Sequence, residues 1–383
     1  MKDVEEWRLA WTAQPTASLK SPLGLIGRGR SSLLHEVFDS VLSRIDELRS
    51  KAYAEWISYN EARERWIEHR FSRAEGEVKL CGVDGGRNFK EYRGFVIYVV
   101  NAEAVVYEGS KLEEPVKLYE VDILTPYRFV EERVRIYSEV LEAKAALEAL
   151  ELREVKVALI DGSLISSLIK PLYAERARWL QGIDEYRERL KGLVTLGRGI
   201  AAKLLLNELT QVYGSEAGRA ASYLEGVEKL IVYRWLLERH RGKLIFISKT
   251  SRGVDYFKSF KPDIAIFEQA THKPGYSEPL HIKVGEKLRR SLPIDDAFFR
   301  SMDLTLFYAR LEDGGPVLRF EVPGRLRHEE VEELLETIAP YSVAGYPYPL
   351  EKAHRDVEVE GTELDKVARI IGLYAEARGP LNH

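Results

Sequence analysis

Apolar residues recur along this chain at two different spacings, and the order of these spacings predicts an α/β fold. From Ser31 to about Arg73 they return every three or four positions, which is typical of amphipathic helices. After residue 78 they form short runs that are typical of strands. The predicted elements, in chain order, are strands at 78–84, 93–100 and 103–107, a helix at 127–151, a strand at 155–160, helices within 163–240 and a strand at 244–248. A tight turn at Asn101–Ala102 is expected to join the second and third strands.

This order of strands and helices is typical of the RNase H-like fold. Three antiparallel strands come first, and a helix and two further strands follow. The sequence therefore predicts an α/β protein with a mixed sheet and helices on both of its faces. We expect an N-terminal helical arm over residues 1–75 and a main domain over 76–383, with a large helical insertion at about 163–240. Ser163 is the expected N-cap of the first inserted helix.

The last third of the chain adds elements to this core. A strand is predicted at 263–268, and a hairpin pairs strands at 304–310 and 317–322 around the turn Asp313–Pro316. Helices are predicted at about 328–338 and 362–377. These additions enlarge the core without changing the predicted fold class.

Composition and charge narrow the class of protein. The 383 residues carry a net charge of −4, so a uniformly basic coat for nucleic acid is excluded, although a local basic groove is not. Cys81 is the single cysteine, which excludes an intramolecular disulfide and a cysteine-based zinc site. Without a signal segment or a run of eighteen apolar residues, the protein is expected in the cytoplasm, away from membranes. Abundant Glu, Lys and Arg with few Asn and Gln are typical of a thermophilic source.

Two of the predicted strands end in an aspartate that a small turn follows. Asp84 closes the first strand in the stretch 79–86, and Asp161 closes the fourth strand in the stretch 157–163. A carboxylate at the mouth of a buried strand is costly unless another charge compensates it. Because the first and fourth strands are neighbours in the RNase H-like order, both acids are expected in one cleft, where a divalent metal can bind them.

The long helix between these strands offers a third acid. Glu139 and Glu142 are three residues apart and therefore lie on one helix face, so both remain open as the third carboxylate. An oxygen-rich site of this kind suits magnesium or manganese, and two such ions assist phosphodiester cleavage. The simpler interpretation is that each aspartate caps a turn and each glutamate is solvated. The hypothesis rests on the set of acids and not on any single member.

Basic and histidine residues complete the predicted site. Lys249 follows the fifth strand, and Lys249 and Arg252 belong to a basic stretch at 239–261 that either contacts phosphates or forms a solvated face. His354 is either a metal ligand or proton shuttle, or an ordinary surface histidine. No phosphate-binding loop of the P-loop type is present, so the chain by itself is not expected to hydrolyse ATP.

Five short motifs in order make the chain resemble the NurA family of archaeal and bacterial DNA-end nucleases. They extend over roughly residues 78–358 and are Val83–Gly86, Leu141–Leu147, Leu159–Ser163, Ile247–Ser251 and Tyr346–Leu350 with Ala353–His354. The family often has Gly-Ser after its first acid, whereas Asp84 is followed by two glycines, so a hydroxyl role at this turn is lost. The surroundings of Glu142 favour it over Glu139 as the helix ligand.

The resemblance implies an activity and partners that composition and spacing do not reveal. It implies a manganese-dependent nuclease, with magnesium as the alternative ion, whose ligands are Asp84, Glu142, Asp161 and His354, with Lys249 among the catalytic residues. It also implies single-strand endonuclease and 5′–3′ exonuclease activity, and a homodimer that acts with the hexameric ATPase HerA in double-strand break repair. The alternatives are another RNase H-like nuclease, such as a junction resolvase or an Argonaute-type slicer, and a non-catalytic nucleic-acid-binding subunit.

Overall fold

The chain divides into two units, which are described separately. A computed structural model describes residues 32–52, 59–72, 78–170, 177–197 and 199–373. The units span Met1–Ser58 and Tyr59–His383. In the first unit, the structure describes two helices, α1 (Ser32–Ser43) and α2 (Ile45–Ala52), within the segment predicted to be helical. The rest of the predicted arm at 1–31, 53–58 and 73–77 lies outside the described residues.

The second unit is built on a large mixed sheet. Its strands are β1 (Trp66–Glu68), β2 (Leu80–Glu91), β3 (Val96–Glu108), β4 (Lys111–Leu112), β5 (Val116–Ile123), β6 (Val157–Asp161), β7 (Leu244–Ser248), β8 (Gly275–Ser277), β9 (Leu280–Lys283), β10 (Asp303–Arg310) and β11 (Leu318–Pro323). A separate two-stranded ribbon is formed by β12 (Ser342–Val343) and β13 (Tyr346–Pro347).

Helices lie between these strands. They are α3 (Asn60–Glu64), α4 (Val130–Leu152), α5 (Leu164–Ile169), α6 (Ile183–Leu193), α7 (Leu206–Tyr213), α8 (Ala217–His240), α9 (Asp263–Ala270), α10 (Val284–Lys287), α11 (Asp296–Ser301), α12 (His328–Ile338), α13 (Tyr348–Val357) and α14 (Gly361–Ile370). None of the helices in the described part of the chain combines the length and the apolar character that crossing a membrane requires.

The order of strands in the sheet confirms the predicted fold class. One path runs β7, β6, β2, β3, and β5 pairs with the outer side of β3. The β2–β6 and β6–β7 pairs are parallel, while β2–β3 and β3–β5 are antiparallel. Strand β7 is buried along its whole length, as expected for a parallel strand with both faces covered. Strands β11, β10 and β8 extend this RNase H-like core beyond β7.

Helix α4 is covered by the sheet on one side and by α8 from the insertion on another. Because the insertion covers it, charged residues of α4 lie in the interior and need partners. Arg133 donates two hydrogen bonds to the Glu225 carboxylate of α8, and both side chains are fully buried. Lys144 pairs with Glu228 at 3.2 Å. These ion pairs fix α4 along its length and thereby fix the residues that it presents to the sheet.

Four predicted elements differ from the structure. The first predicted strand does not end at Asp84, because β2 continues to Glu91. Residues 66–68, expected to be helical, form strand β1, which pairs with β8. The predicted break at Asn101–Ala102 is wrong, because β3 continues through it. Asn101 pairs with Gly86, whose missing side chain leaves room for the asparagine. Residues 263–270 form a helix and not a strand.

The error at 263–270 has a simple origin. Its β-branched and aromatic residues favour a strand. However, Ile266, Phe267 and Ala270 are the buried apolar positions, and their spacing is helical. The 304–322 hairpin, the 328–338 helix and the Ser163 N-cap are confirmed. The last helix ends at Ile370, and the part of its predicted extension at 374–377 lies outside the described residues.

Candidate active site

The parallel pairing of β2 and β6 places two aspartates side by side. The last paired residues of this ladder are Val83 and Ile160. Asp84 and Asp161 are the next residue on each strand, so both carboxylates lie where the two strands part. A glycine follows each acid, and Gly162 has a φ of +100°, a backbone conformation that favours glycine. Gly85, in contrast, continues strand β2 and pairs with Ala102 of β3.

Asp84 is held in place by two hydrogen bonds. Its Oδ1 accepts from the backbone N–H of Gly85 at 2.7 Å. Its Oδ2 lies 2.7 Å from Nδ1 of His354 on α13. The Asp84 side chain is only 10% exposed, whereas the His354 ring is 56% exposed. The buried carboxylate therefore orients a histidine whose ring reaches solvent.

Glycines on β2 bring His354 to Asp84. A Cβ at Gly82 would collide with the backbone of Pro349 and Leu350, and a Cβ at Gly86 would collide with the backbone oxygen of Val357. Both ends of α13 therefore lie directly on β2. Alternate residues of a strand share a face, so Asp84 points to the same side as its two flanking glycines.

We expect Gly82→Ala to displace α13 and to weaken any activity that needs His354 beside Asp84. Overpacking of this kind costs about 1–3 kcal/mol, because the facing atoms are backbone and cannot rotate away. Thermal melting and a cleavage assay should both show the loss. Gly94→Ala is the matched control, since a Cβ there meets no atom within 4 Å. Wild-type melting and activity in Gly82→Ala would contradict this packing.

Three ligand-type side chains converge at this point. One donor atom from each of Asp84, Asp161 and His354 lies within 4.8 Å of the other two. The pKa of Asp161 is raised to about 6, first by burial and then by the negative charge of Asp84. The repulsion between the acids is thus not relieved by the protein alone. Two carboxylates and one imidazole fit a divalent cation such as manganese, so the donor set is suited to the predicted metal.

The two helix glutamates have different surroundings. Gly85 lies against Ser138 and the Cβ of Glu142, so α4 faces β2 from the side opposite α13. Burial and then the charges of Asp84 and Asp161 raise the pKa of Glu142 well above its usual value. Glu142 therefore faces the acids, although it lies outside the tight group of three.

Glu139 points away from the aspartates into a basic cluster. Its carboxylate pairs with Lys229 at 3.0 Å, Arg135 at 2.9 Å and Lys170 at 3.1 Å. Despite burial, the charges of these neighbours hold the pKa of Glu139 low, at about 2. Glu139 is a structural ion-pair partner, and the surroundings of the two residues favour Glu142 as the third acid of the cleft.

Lys249 also reaches the cleft, but Arg252 does not contact its acids. The Lys249 ammonium lies 4.1 Å from the centre of the Tyr346 ring, and its charge acts to lower the pKa of Asp161. Tyr346 donates a weak hydrogen bond of 3.4 Å to Asp161 Oδ1. Arg252 is exposed on the loop that follows β7.

Sequence reasoning missed two residues beside the acids. Tyr346 stood within a quoted motif without a role, and its hydroxyl contacts Asp161. Glu321 on β11 is buried, and it accepts hydrogen bonds from Ser163 Oγ at 2.7 Å and from the Ile165 N–H at 3.0 Å. It thereby fixes the turn after Asp161. The signal was a pair of charged residues, Arg319 and Glu321, alternating inside an otherwise apolar strand.

The fold and the site together define a class of protein. It is an RNase H-like domain with an acidic cleft at the point where its two central parallel strands part, and with a donor set that suits divalent cations. The chain belongs to the NurA family, since the NurA domain profile matches residues 78–359. The resemblance seen in the sequence is therefore confirmed.

Relatives and solved structures agree with this assignment. A protein named "DNA double-strand break repair nuclease NurA" from Saccharolobus solfataricus is 25% identical, over 89% of this chain and 96% of that one. A "probable" nuclease of the same name from Methanocaldococcus jannaschii is 30% identical over 83% of this chain and 84% of its own.

The crystal structure of the NurA nuclease from Sulfolobus solfataricus has a TM-score of 0.70. It covers 91% of this chain and 99% of its own at 24% identity. A NurA structure bound to dAMP and manganese has a TM-score of 0.60 at 18% identity, covering 89% of this chain and 96% of its own. Both structures share the fold described above.

Proposed function

We propose that this chain is a metal-dependent deoxyribonuclease that resects DNA ends in double-strand break repair. The observation that carries the proposal is the convergence of Asp84, Asp161 and His354 within 4.8 Å in an RNase H-like sheet. The names of the curated NurA relatives, which are DNA double-strand break repair nucleases, support it. A relative of the same fold, solved with dAMP and manganese, supports a nucleotide substrate and this ion.

Four residues would hold the metal in this proposal: Asp84, Glu142, Asp161 and His354. Manganese is the proposed ion, and magnesium is the alternative. Two bound divalent cations would lower the pKa of the attacking water and stabilise the leaving oxygen of the phosphodiester. Burial and then the charges of the neighbouring acids raise the pKa values of Glu142 and Asp161, which supports this role because a bound cation would favour the ionised carboxylates.

The remaining residues of the cleft would bind the substrate and move protons. Lys249 is exposed and lies over Tyr346, so its ammonium is placed to bind a backbone phosphate next to Asp161. Asp84 orients the ring of His354, and the alternative to metal binding by this residue is that the exposed part of its ring carries a proton between the cleft and solvent.

The proposal also covers the type of cleavage and the partners of the chain. The chain would cut single strands endonucleolytically and degrade ends in the 5′–3′ direction, as a cytoplasmic homodimer working with a HerA-type hexameric ATPase. Opening each base-pair step costs on the order of 1–2 kcal/mol, and a chain without a P-loop has no source of that work. The exposed apolar residues of α1, Val37, Phe38, Val41 and Leu42, suit a contact between subunits or with the ATPase.

A labelled DNA cleavage assay tests the proposal. Single-stranded and blunt duplex substrates would be incubated with manganese, with magnesium and with EDTA, alone and with a HerA-type ATPase and ATP. We expect metal-dependent cutting of single strands by the chain alone, and degradation of long duplexes only with the ATPase.

DNA binding without cleavage under any metal would favour the non-catalytic subunit. A preference for branched junctions would favour another RNase H-like nuclease. Light scattering that shows a monomer at micromolar concentration would contradict the dimer.

Lys249→Ala and Arg252→Ala should separate the phosphate-binding role from the solvated-face interpretation. If each side chain neutralises one phosphate, its loss weakens binding to all sequences. It also flattens the slope of log affinity against log salt by about 0.7 for single strands. Binding would be measured by fluorescence anisotropy in EDTA across a salt series. Because Lys249 adjoins Asp161 and Arg252 does not, only Lys249→Ala should also lower the cleavage rate. An unchanged slope in both variants would assign the pair to a solvated face.

A further inference from the structure

A cavity with basic walls lies one short helix away from the acidic cleft. Its volume is about 640 Å³, and its walls come from the end of α5, Arg178, Tyr223 and the segment 286–293. Five cationic side chains line it, namely Lys170, Arg178, Lys287, Arg289 and Arg290. Among the described residues that line it, Glu286 is the one carboxylate. In a chain whose net charge is −4, such a local excess of positive charge is typical of a site for a polyanion.

Hydrogen bonds from neighbouring side chains hold the backbone around Arg289 and Arg290 in place. The Arg300 guanidinium donates to the carbonyls of Leu288 at 3.1 Å and Arg290 at 2.6 Å. The Leu292 N–H donates to Asp296 at 2.7 Å. The exposed arginines 289 and 290 therefore project from a braced loop, so less conformational entropy is lost when they bind a ligand.

Two series of side-chain contacts connect this cavity with the acidic cleft. On one side, Lys170 bonds Glu139, which lies one helical turn from Glu142. On the other side, Lys287 bonds Asp255 at 2.5 Å. The link continues through Arg319 to Glu321, which fixes the turn after Asp161. Helix α5, which connects Asp161 to Lys170, has six residues and is therefore about 9 Å long.

An exposed aromatic ring stands beside the basic walls. Trp179 is 81% exposed and is the next residue after Arg178. Exposed aromatic rings next to basic residues are the combination with which proteins bind single-stranded nucleic acid, because any base can stack on the ring. A cavity of about 640 Å³ is in the size range of small-ligand sites, which is enough for the nucleotides of one strand.

We propose that this cavity and Trp179 form a binding track for single-stranded DNA that extends from the acidic cleft. Arg289 and Arg290 bind backbone phosphates, and a base stacks on Trp179. The proposal deepens the nuclease function proposed above and rests on it for the identity of the strand. It assigns the contacts that hold the part of the strand beyond the scissile phosphate.

Equilibrium binding in EDTA tests the track without cleavage. The probe is a fluorescein-labelled 20-nucleotide oligo(dT), compared with a blunt 20-base-pair duplex, by fluorescence anisotropy. Trp179→Ala and the double variant Arg289→Ala/Arg290→Ala should each bind oligo(dT) about tenfold more weakly. The double variant should also flatten the salt slope by about 1.4. Arg93→Ala and Tyr119→Ala, which remove an exposed arginine and an exposed aromatic ring elsewhere, are the matched controls. Unchanged binding, or an equal loss for duplex and single strand, would overturn the proposal.

A comparison of two substrates separates this proposal from the nuclease function itself. Bis(p-nitrophenyl) phosphate is a small diester that reaches the cleft without spanning the track. With manganese, the ratio of kcat/KM for oligo(dT) to that for the small diester should fall about tenfold in both track variants, mainly through KM. An unchanged ratio would overturn the track while leaving the nuclease function intact. If the wild-type chain cleaved neither substrate, the nuclease proposal would fail, and the anisotropy result alone would decide the track.

Discussion

Asp161→Asn is expected to abolish cleavage and at the same time to raise the melting temperature of the metal-free protein. The loss of activity should be roughly a thousandfold or more, since a metal site contributes several kcal/mol to the transition state. The gain in stability has a separate cause. Burial and Asp84 raise the pKa of Asp161 from 3.8 to about 6 in the folded chain.

The sign of the pH dependence follows from this shift. Above pH 6 the folded protein must hold an unfavourable charge that the unfolded chain carries freely, so the carboxylate lowers stability by about 3 kcal/mol. Between pH 6 and pH 4 the carboxylate of the folded chain becomes protonated and this cost disappears. The advantage of Asp161→Asn in EDTA should therefore be full at neutral pH and absent near pH 4.

Calorimetry in EDTA at several pH values, alongside the cleavage assay, provides the measurement. Excess manganese should reverse the order of melting temperatures, because the wild-type site gains a ligand that the variant binds poorly. A variant that cleaves at the wild-type rate would remove Asp161 from the catalytic machinery. A variant that melts lower than wild type at pH 7.5 in EDTA would show that the repulsion is already relieved in the metal-free chain.

The second large effect is that the same substitution at two glutamates of one helix should act oppositely: one variant should lose activity and the other should lose stability. Glu142→Gln should lose activity by orders of magnitude and leave the metal-free fold at least as stable, since it removes a charge that Asp84 and Asp161 repel. Glu139→Gln should keep most of its activity under conditions in which it is folded. It should nevertheless unfold more easily by about 3–5 kcal/mol, because it leaves the buried Lys229 without its carboxylate partner.

The two variants control for each other, since they make the same chemical change three residues apart on one helix. Each would be assayed for cleavage with manganese and for unfolding by denaturant in EDTA. The low pKa of Glu139, about 2, means that its contribution to stability should persist above pH 4.5 and fade as the pH falls towards 2. Loss of cleavage in a fully folded Glu139→Gln, with normal cleavage in Glu142→Gln, would make Glu139 the third acid of the cleft in place of Glu142.

Local sequence was sufficient to predict those elements in which the spacing of apolar residues matches the positions that are buried in the fold. The strand at 244–248 is a continuous apolar run, and it is buried as a central parallel strand. The motif ending in Asp161 carries its own turn glycine, so this strand end and its acid could be predicted. Asp84 could also be predicted as a candidate acid, but its strand continues to Glu91. The helix at 130–152 was predicted despite its buried charges. The segment is longer than a typical strand, and its apolar residues recur at helical spacing.

Other features depended on residues distant in the chain. The pairing of β1 with β8 joins residues 66–68 to 275–277, and three residues alone do not specify a strand. His354 approaches Asp84 only because Gly82 and Gly86 leave room for a helix that follows them by more than 250 residues. Glu139 and Glu142 share a helix face, and only the positions of Lys229 and Lys170 distinguish an ion-pair partner from a residue of the acidic cleft.

The sequence by itself determined the RNase H-like fold class, the NurA family and the two candidate acids Asp84 and Asp161, because each depends on short motifs and on the spacing of apolar residues. Only the tertiary structure shows that Glu139 is held by basic side chains, how Tyr346 and Glu321 contact the region of Asp161, and where the basic cavity lies. These depend on distances and burial between separate elements. The charge that a carboxylate meets in the folded chain is set by neighbours that sequence spacing does not reveal.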